Sequence, residues 1–210
     1  MFAGQSTDQM AGKLTRRAEK RLVTQARSGC EEAARVLVEA HQDRLFAFVW
    51  RILRDHHESE EICQEAFLRA FDALDTFSAE FRFSTWLFTI AYRLCLNQIR
   101  RRKSVTGDLD FSAMPSTEPD AADRVAESEE ARRLKDEIWS AVDRLSVPQR
   151  AAVLLFYREG MSCEAIAKAL GIPAATAKSH LHRARAKLRE SLAEMAQDTS
   201  RIRALREAAS

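Results

Sequence analysis

The chain has 210 residues, 46% hydrophobic and 30% charged, with a formal net charge of +2. That balance fits one or two small domains with real cores and a well-solvated surface. No apolar run approaches the length of a membrane span, and the first residues lack a signal-peptide apolar region, so a cytoplasmic protein without membrane insertion is expected. The four cysteines, Cys30, Cys63, Cys95 and Cys163, are far apart in helix-like stretches with no C-x-x-C or Cys/His pairing. That excludes a zinc or disulfide framework, and buried reduced thiols are expected.

In chain order, residues 1–18 are polar and small without clear periodicity, and are expected to form a flexible N-terminal arm. A helical pattern runs from Glu19 to Ala40 and is interrupted at Ser28-Gly29, where glycine separates two helices. From His41 to Leu53 the pattern continues, with Leu45, Phe46, Val49, Ile52 and Leu53 at helical spacing and Trp50 on the margin. Asp55-His56-His57-Glu58 reads as a helix junction. In the next helix Ile62, Cys63, Ala66, Phe67, Ala70, Phe71 and Leu74 make one face, with Glu61, Gln64, Glu65 and Asp72 mostly on the other. Ser84 is expected to cap a helix from about Thr85 to Arg102, with Leu87, Ile90, Ala91, Leu94 and Gln98 facing the core. Trp86, Tyr92, Arg93, Asn97, Arg100 and Arg101 are then divided between the core edge and solvent. Residues 19–103 are expected to form an all-helical first domain.

Residues 104–131 differ in kind. Gly107, Pro115 and Pro119 accompany a cluster of Asp and Glu opposed only by Arg124, the composition of a flexible acidic linker. A second all-α domain is expected over 132–190. Leu134, Ile138, Val142 and Leu145 follow helical spacing, and Ser146-Val147-Pro148-Gln149 has the form of a capping box with Pro in the first turn. Ser162 caps a helix containing Ile166, Ala167 and Leu170, Gly171-Ile172-Pro173 makes a tight turn, and a last helix runs from about Ala174 to Ala196. Residues 191–210 form an Arg- and Ala-rich tail. There is no internal repeat and no strand pattern.

The stretch from Ser162 to Arg189 has the form of a helix-turn-helix. Ala167 allows close crossing, Gly171 can end the first helix in the left-handed conformation, and cations lie off the apolar stripe of the second helix. Thr176, Lys178, Ser179, His182, Arg183 and Arg185 are the candidates to reach base edges or phosphates. A basic helical hairpin with no ligand is the plainer reading. The other candidate is the segment Phe81–Lys103. Phe83, Trp86 and Tyr92 lie there beside Arg93, Asn97, Arg100 and Arg101, rings and cations of the kind that hold unstacked bases and their phosphates. By composition alone this segment reads rather as a core helix with aromatic packing and a solvated basic end. Glu61, Gln64 and Glu65 fit either a solvated acidic face or a docking surface for a protein. His56 and His57 have no second ligand cluster and do not make a metal site. No Ser/His/Asp grouping, phosphate loop or carboxylate pair stands out, so neither enzymatic activity nor a cofactor is expected.

In order and spacing, about residues 20 to 190 resemble a bacterial RNA polymerase sigma factor of the extracytoplasmic-function (ECF) group. Glu61-Ile-Cys-Gln-Glu-Ala-Phe-Leu68 resembles the family's core-polymerase-binding block. Phe83-Ser-Thr-Trp-Leu and the helix bearing Tyr92-Arg93, Asn97 and Arg100-Arg101 resemble the segment that opens and reads the −10 element. Leu145-Ser-Val-Pro-Gln-Arg150 and the blocks from Glu164 to Arg189 resemble the domain that reads the −35 element. The resemblance implies two domains joined by a linker, with core RNA polymerase, promoter DNA and an anti-sigma factor as partners. It also implies a linker threading toward the RNA path, where its carboxylates could imitate nucleic-acid charge. Glu58-Ser59-Glu60-Glu61 replaces the family's usual aspartate-rich run, and His180 stands where relatives often carry arginine. A stand-alone helix-turn-helix regulator is the alternative, but it leaves the aromatic-basic helix and the Glu61–Glu65 face without a task. A protein-only adaptor is the third reading.

Overall fold

The computed structural model describes residues 14–78, 80–106 and 129–208. The first thirteen residues of the expected arm, and 107–128 of the expected linker, lie outside the described residues. All regular structure among the described residues is helical, as the sequence pattern implies. The chain divides into two units, Met1–Thr106 and Gly107–Ser210.

In the first unit α1 spans Arg16–Arg27, so helix begins within the last residues of the expected arm. The Thr15 hydroxyl accepts from the Ala18 N–H at 3.3 Å and caps it. Gly29, at φ 88°, makes the turn into α2, Glu31–Leu53, a single helix of 23 residues. Arg54 ends α2 in the left-handed conformation. Asp55 opens α3, His56–Asp72, by accepting from the Glu58 N–H at 2.8 Å. A 3-10 turn, Leu74–Thr76, leads on toward α4, Phe83–Thr106.

The start of α4 departs from the sequence expectation. Ser84 is not the cap; it lies inside the helix, buried, and its N–H donates to Oε1 of Glu19 at 3.1 Å. The acceptor for this helix end comes from 65 residues away. The core face of α4 is also broader than the expected stripe. Leu87, Ala91 and Leu94 are buried as anticipated, but so are Phe83, Phe88, Tyr92 and Cys95. The cause is packing from two sides, since α2 and α3 both lie against α4. Phe48 of α2 meets Phe88 edge-on at 5.1 Å. Fully burying a side chain such as Leu87 or Phe88 contributes about 1.5–3 kcal/mol.

In the second unit α5 spans Glu129–Asp143, α6 Val147–Tyr157, α7 Cys163–Leu170 and α8 Ala174–Ala208. Ser146 and Gln149 form the expected capping box, with the Ser146 N–H donating to Gln149 Oε1 at 3.3 Å. Buried Arg150 donates to the carbonyls of Asp143 and Leu145 and ties the end of α5 to α6. The expected α5 stripe is only half correct. Val142 and Leu145 are buried, whereas Leu134 is 54% and Ile138 39% exposed. Apolar spacing marks a face of a helix but not how far a neighbour extends along it. The last helix continues well past Ala196, to Ala208.

Of the four thiols, Cys95 is buried and Cys63 and Cys163 half-buried, while Cys30 is exposed, contrary to the expectation of four buried groups. Burial, with Glu60 nearby, pushes the Cys63 thiol up to about 12. Burial, followed by the proximity of Cys63, drives Cys95 upward as well. Neither is a ready nucleophile near neutral pH. No described helix is long and apolar enough to cross a membrane.

Candidate nucleic-acid interface

Three surfaces carry the residues singled out by sequence. On α4 the exposed side is a row at helical spacing: Trp86 and Ile90, both half-buried, then Arg93, Asn97, Arg100 and Arg101, all exposed. Trp86 leans on Phe77 at 5.2 Å and on Phe83 at 6.0 Å, and remains half-buried. Phe83 and Tyr92 do not join this row. Phe83 is 1% exposed and packs against His41, Phe71, Phe77 and Trp86. Tyr92 is buried, and burial followed by the nearby Cys95 pushes its hydroxyl up to about 12. Both rings support the helix and offer no face to a base in this conformation.

The basic end of α4 is divided in the same way. Arg102 points back to the α2–α3 junction. It donates to both carboxylate oxygens of Glu58, the Nε contact at 3.0 Å, and to the Leu53 carbonyl at 2.9 Å. Arg100 meets the Asn97 side chain, at 3.5 Å, and is itself exposed.

On α3, Glu61, Gln64 and Glu65 share one face. Glu61 lies 3.7 Å from His57, and Glu65 holds Arg69 at 2.6 Å. His56 sits one turn from Glu60, at 3.7 Å, on the exposed surface. Leu68 completes the acidic face and is 60% exposed. Sequence reasoning placed it in the motif but not among the binding residues. The available signal was an apolar residue four and three positions beyond Gln64 and Glu65, on the polar side of the helix.

In the second unit the helix-turn-helix forms as its sequence implies. Ser162 Oγ accepts from the Ala165 N–H at 3.2 Å, and Gly171 ends α7 at φ 67°. The Ile172 N–H then reaches the Ala167 carbonyl at 2.9 Å. Buried Ala177, Leu181 and Ala184 hold α8 against its neighbours. Lys178, His182 and Arg183 are exposed, and Thr176 and Ser179 half-exposed, over the first turns of α8. Lys178 lies 4.0 Å from Glu164 of α7. Arg185 is engaged. Its Nε donates to the Tyr157 hydroxyl at 3.0 Å, and its guanidinium lies 5.1 Å from the Phe156 ring centre. Lys178, His182, Arg185 and Arg189 follow one another at i, i+4, i+7 and i+11, a polar stripe with three cations along one side of the helix.

These two helical units match two described families. Residues 37–105 match Sigma-70 region 2, and residues 135–188 match Sigma-70 region 4. The ECF RNA polymerase sigma factor SigW of Bacillus subtilis is 30% identical over 186 residues, which span 84% of this chain and 97% of that one.

The chain belongs to the ECF RNA polymerase sigma factors.

The RNA polymerase sigma-H factor of Pseudomonas aeruginosa is 32% identical over 85% of this chain and 96% of its own length. Among solved structures, the sigma factor RpoE of Bartonella quintana, in complex with the anti-sigma factor NepR, aligns with a TM-score of 0.58 at 27% identity. That alignment covers 70% of this chain and 89% of that one. The ECF sigma factor described here is therefore a promoter-directing subunit, with region 2 in the first helical unit and region 4 in the second.

Proposed function

We propose that the exposed row on α4 holds the unwound −10 strand, that the first turns of α8 read the −35 element, and that the α3 face docks on core RNA polymerase. The observation that carries this reading is the row itself. Half-buried Trp86 and exposed Arg93, Asn97, Arg100 and Arg101 line up on one side of α4, whereas Phe83, Phe88 and Tyr92 are withdrawn into the core. A ring followed by cations at successive turns suits a base and the phosphates that follow it. On α8, Thr176, Lys178, Ser179, His182 and Arg183 occupy the helix start that enters a major groove in helix-turn-helix proteins, with Arg185 one turn further on. On α3, Leu68 supplies an apolar anchor among Glu61, Gln64 and Glu65, a polar rim around a buried contact once docked.

Energetics assign the work between the partners. Separating DNA costs about 1.4 kcal/mol per step, so a bubble of about ten steps costs more than ~10 kcal/mol. Stacking one base on Trp86 returns about 1–3 kcal/mol. The sigma factor therefore traps bases as opening begins, while the polymerase supplies the remainder. The relative solved with an anti-sigma factor supports a partner of that kind here, with the exposed Leu68, Leu134 and Ile138 as apolar anchor points. The factor acts in the cytoplasm as a non-catalytic subunit without a cofactor.

Run-off transcription from a promoter set, with core polymerase in the presence and absence of the chain, tests the reading. Specific transcripts only when both are present are expected. Tight promoter binding by the chain alone, without polymerase-dependent transcripts, would instead support a stand-alone regulator.

A further inference from the structure

The segment from Leu74 to Ser84 enters α4 just ahead of Trp86, and α1 grips it at several points. Arg27 donates to the carbonyls of Leu74 (2.8 Å) and Phe77 (3.0 Å), and Arg16 to that of Glu80 (2.7 Å). Arg82 returns the contact by donating to the Leu14 carbonyl. At the centre is Glu19, only 1% exposed. Its Oε1 accepts from the Ser84 N–H at 3.1 Å and approaches Nε2 of the buried His41, on α2, at 3.3 Å. Its Oε2 accepts from Arg82 Nε at 3.1 Å. One carboxylate thus joins α1, α2 and the first turn of α4.

This arrangement is costly to build. Removing a carboxylate from water is unfavourable unless charge and hydrogen bonds compensate it, and the same first turn could be capped by an ordinary Ser or Asp. At the position before Phe83 stands Arg82, whose carbonyl accepts from the Trp86 N–H at 3.3 Å but whose side chain has no acceptor to offer the N–H groups ahead of it. The Ser84 N–H, in the first turn of the helix that presents Trp86, therefore takes its acceptor from α1. The Sigma-70 region 2 match begins at residue 37, so α1 lies outside it.

We propose that Glu19 is a positioning residue for promoter opening: it fastens α1 to the first turn of α4 and so sets the angle at which Trp86 and the entering segment meet the −10 strand. The inference rests on the proposed role of the α4 row. With Glu19 replaced, the fold persists through the Phe48, Leu87 and Phe88 core, but the start of α4 loses its distant acceptor and its registry with α1. Capture of an opened base then weakens while docking on polymerase does not.

The test uses full-length Glu19→Ala and Glu19→Gln with core polymerase on a duplex promoter. Core-polymerase affinity, closed-complex affinity and the rate of opening, followed by permanganate reactivity of unpaired thymines, are measured together. Glu19→Ala is expected to bind core and form the closed complex like the parent but open about tenfold more slowly, the scale of one hydrogen bond to a charged group. Glu19→Gln keeps an acceptor for the Ser84 N–H and should recover most of that loss. Wild-type opening by Glu19→Ala overturns the proposal. So does a loss of opening matched by an equal loss of core binding, since that is unfolding, or a Glu19→Gln variant as slow as Glu19→Ala. Trp86→Ala is run alongside. If it opens normally, the reading of the α4 row fails, whatever Glu19 does.

Discussion

The division of labour at the basic end of α4 can be tested by removing one arginine at a time. Arg102 and Arg100 are two residues apart on the same helix, yet the first is locked and the second is exposed. Replacing Arg102 with Met removes both bonds to the Glu58 carboxylate and the bond to the Leu53 carbonyl near the end of α2. Hydrogen bonds to charged groups contribute about 1.5–3 kcal/mol. The Arg102 and Glu58 side chains are 20% and 23% exposed, so solvent screens part of the pair and about 2 kcal/mol is the reasonable loss. For a domain of this size that lowers the melting temperature by about 8–16 °C. Among the described residues Arg100→Met removes a 3.5 Å contact with Asn97 at an exposed position, so its effect on stability stays within about 0.5 kcal/mol. Binding should respond in the opposite order. Loss of one phosphate contact on a single strand reduces the salt slope of log K by about 0.7. Calorimetry of the full chain and salt titrations of holoenzyme on a pre-opened promoter read the two effects. The reasoning is refuted if Arg102→Met melts like the parent while weakening DNA binding as much as Arg100→Met.

Trp86→Ala should reduce open complex by the equivalent of about 1–3 kcal/mol, roughly 5- to 150-fold, and leave binding to a −35 fragment unchanged; equal losses in both footprints would contradict it. Gly171→Ala places a Cβ in the left-handed region at φ 67°, where no neighbouring atom crowds it, so the loss is backbone strain of about 1–2 kcal/mol, measurable by chemical denaturation of the second unit. Lys178→Ala should reduce the salt slope of −35 duplex binding by about 0.9, an unchanged slope removing Lys178 from the interface. Glu19 gives a pH signature. Burial alone would raise its carboxyl, but the contacts with His41 and Arg82 outweigh burial and hold it below its ordinary value of 4.5. A depressed carboxylate stabilises the fold above that value and ceases to do so as pH falls through the lower folded value. Stability of the parent should therefore fall more steeply with acid below pH 4.5 than that of Glu19→Gln, as read by urea unfolding across pH.

Local pattern explains most of the helices because each carries its own start and stop chemistry. Gly29 and Gly171 take positive φ where the sequence puts breaks, and Ser162 caps α7 as its position suggests. What escaped local reading was what depends on partners distant in sequence. The cap of α4 comes from Glu19, which no window around Ser84 contains. Phe83 and Tyr92 share a segment with Trp86, and only the packing of α2 and α3 decides which ring stays at the surface. Arg185 has the same difficulty: its spacing marks it as a groove residue, while the contact that orients it comes from Tyr157, 28 positions earlier.

The length of α8 has a geometrical consequence. At 1.5 Å per residue its 35 residues extend about 52 Å, and about 30 Å of that lies beyond Leu188, where the region 4 match stops. A straight rod seated by its first turns magnifies small rotations at its base. A ten-degree change in how those turns lie on DNA carries Ala208 through about 9 Å by the same rise. A label near the far end would thus act as a pointer, registering on the scale of a distance measurement the differences in seating that separate one promoter from another.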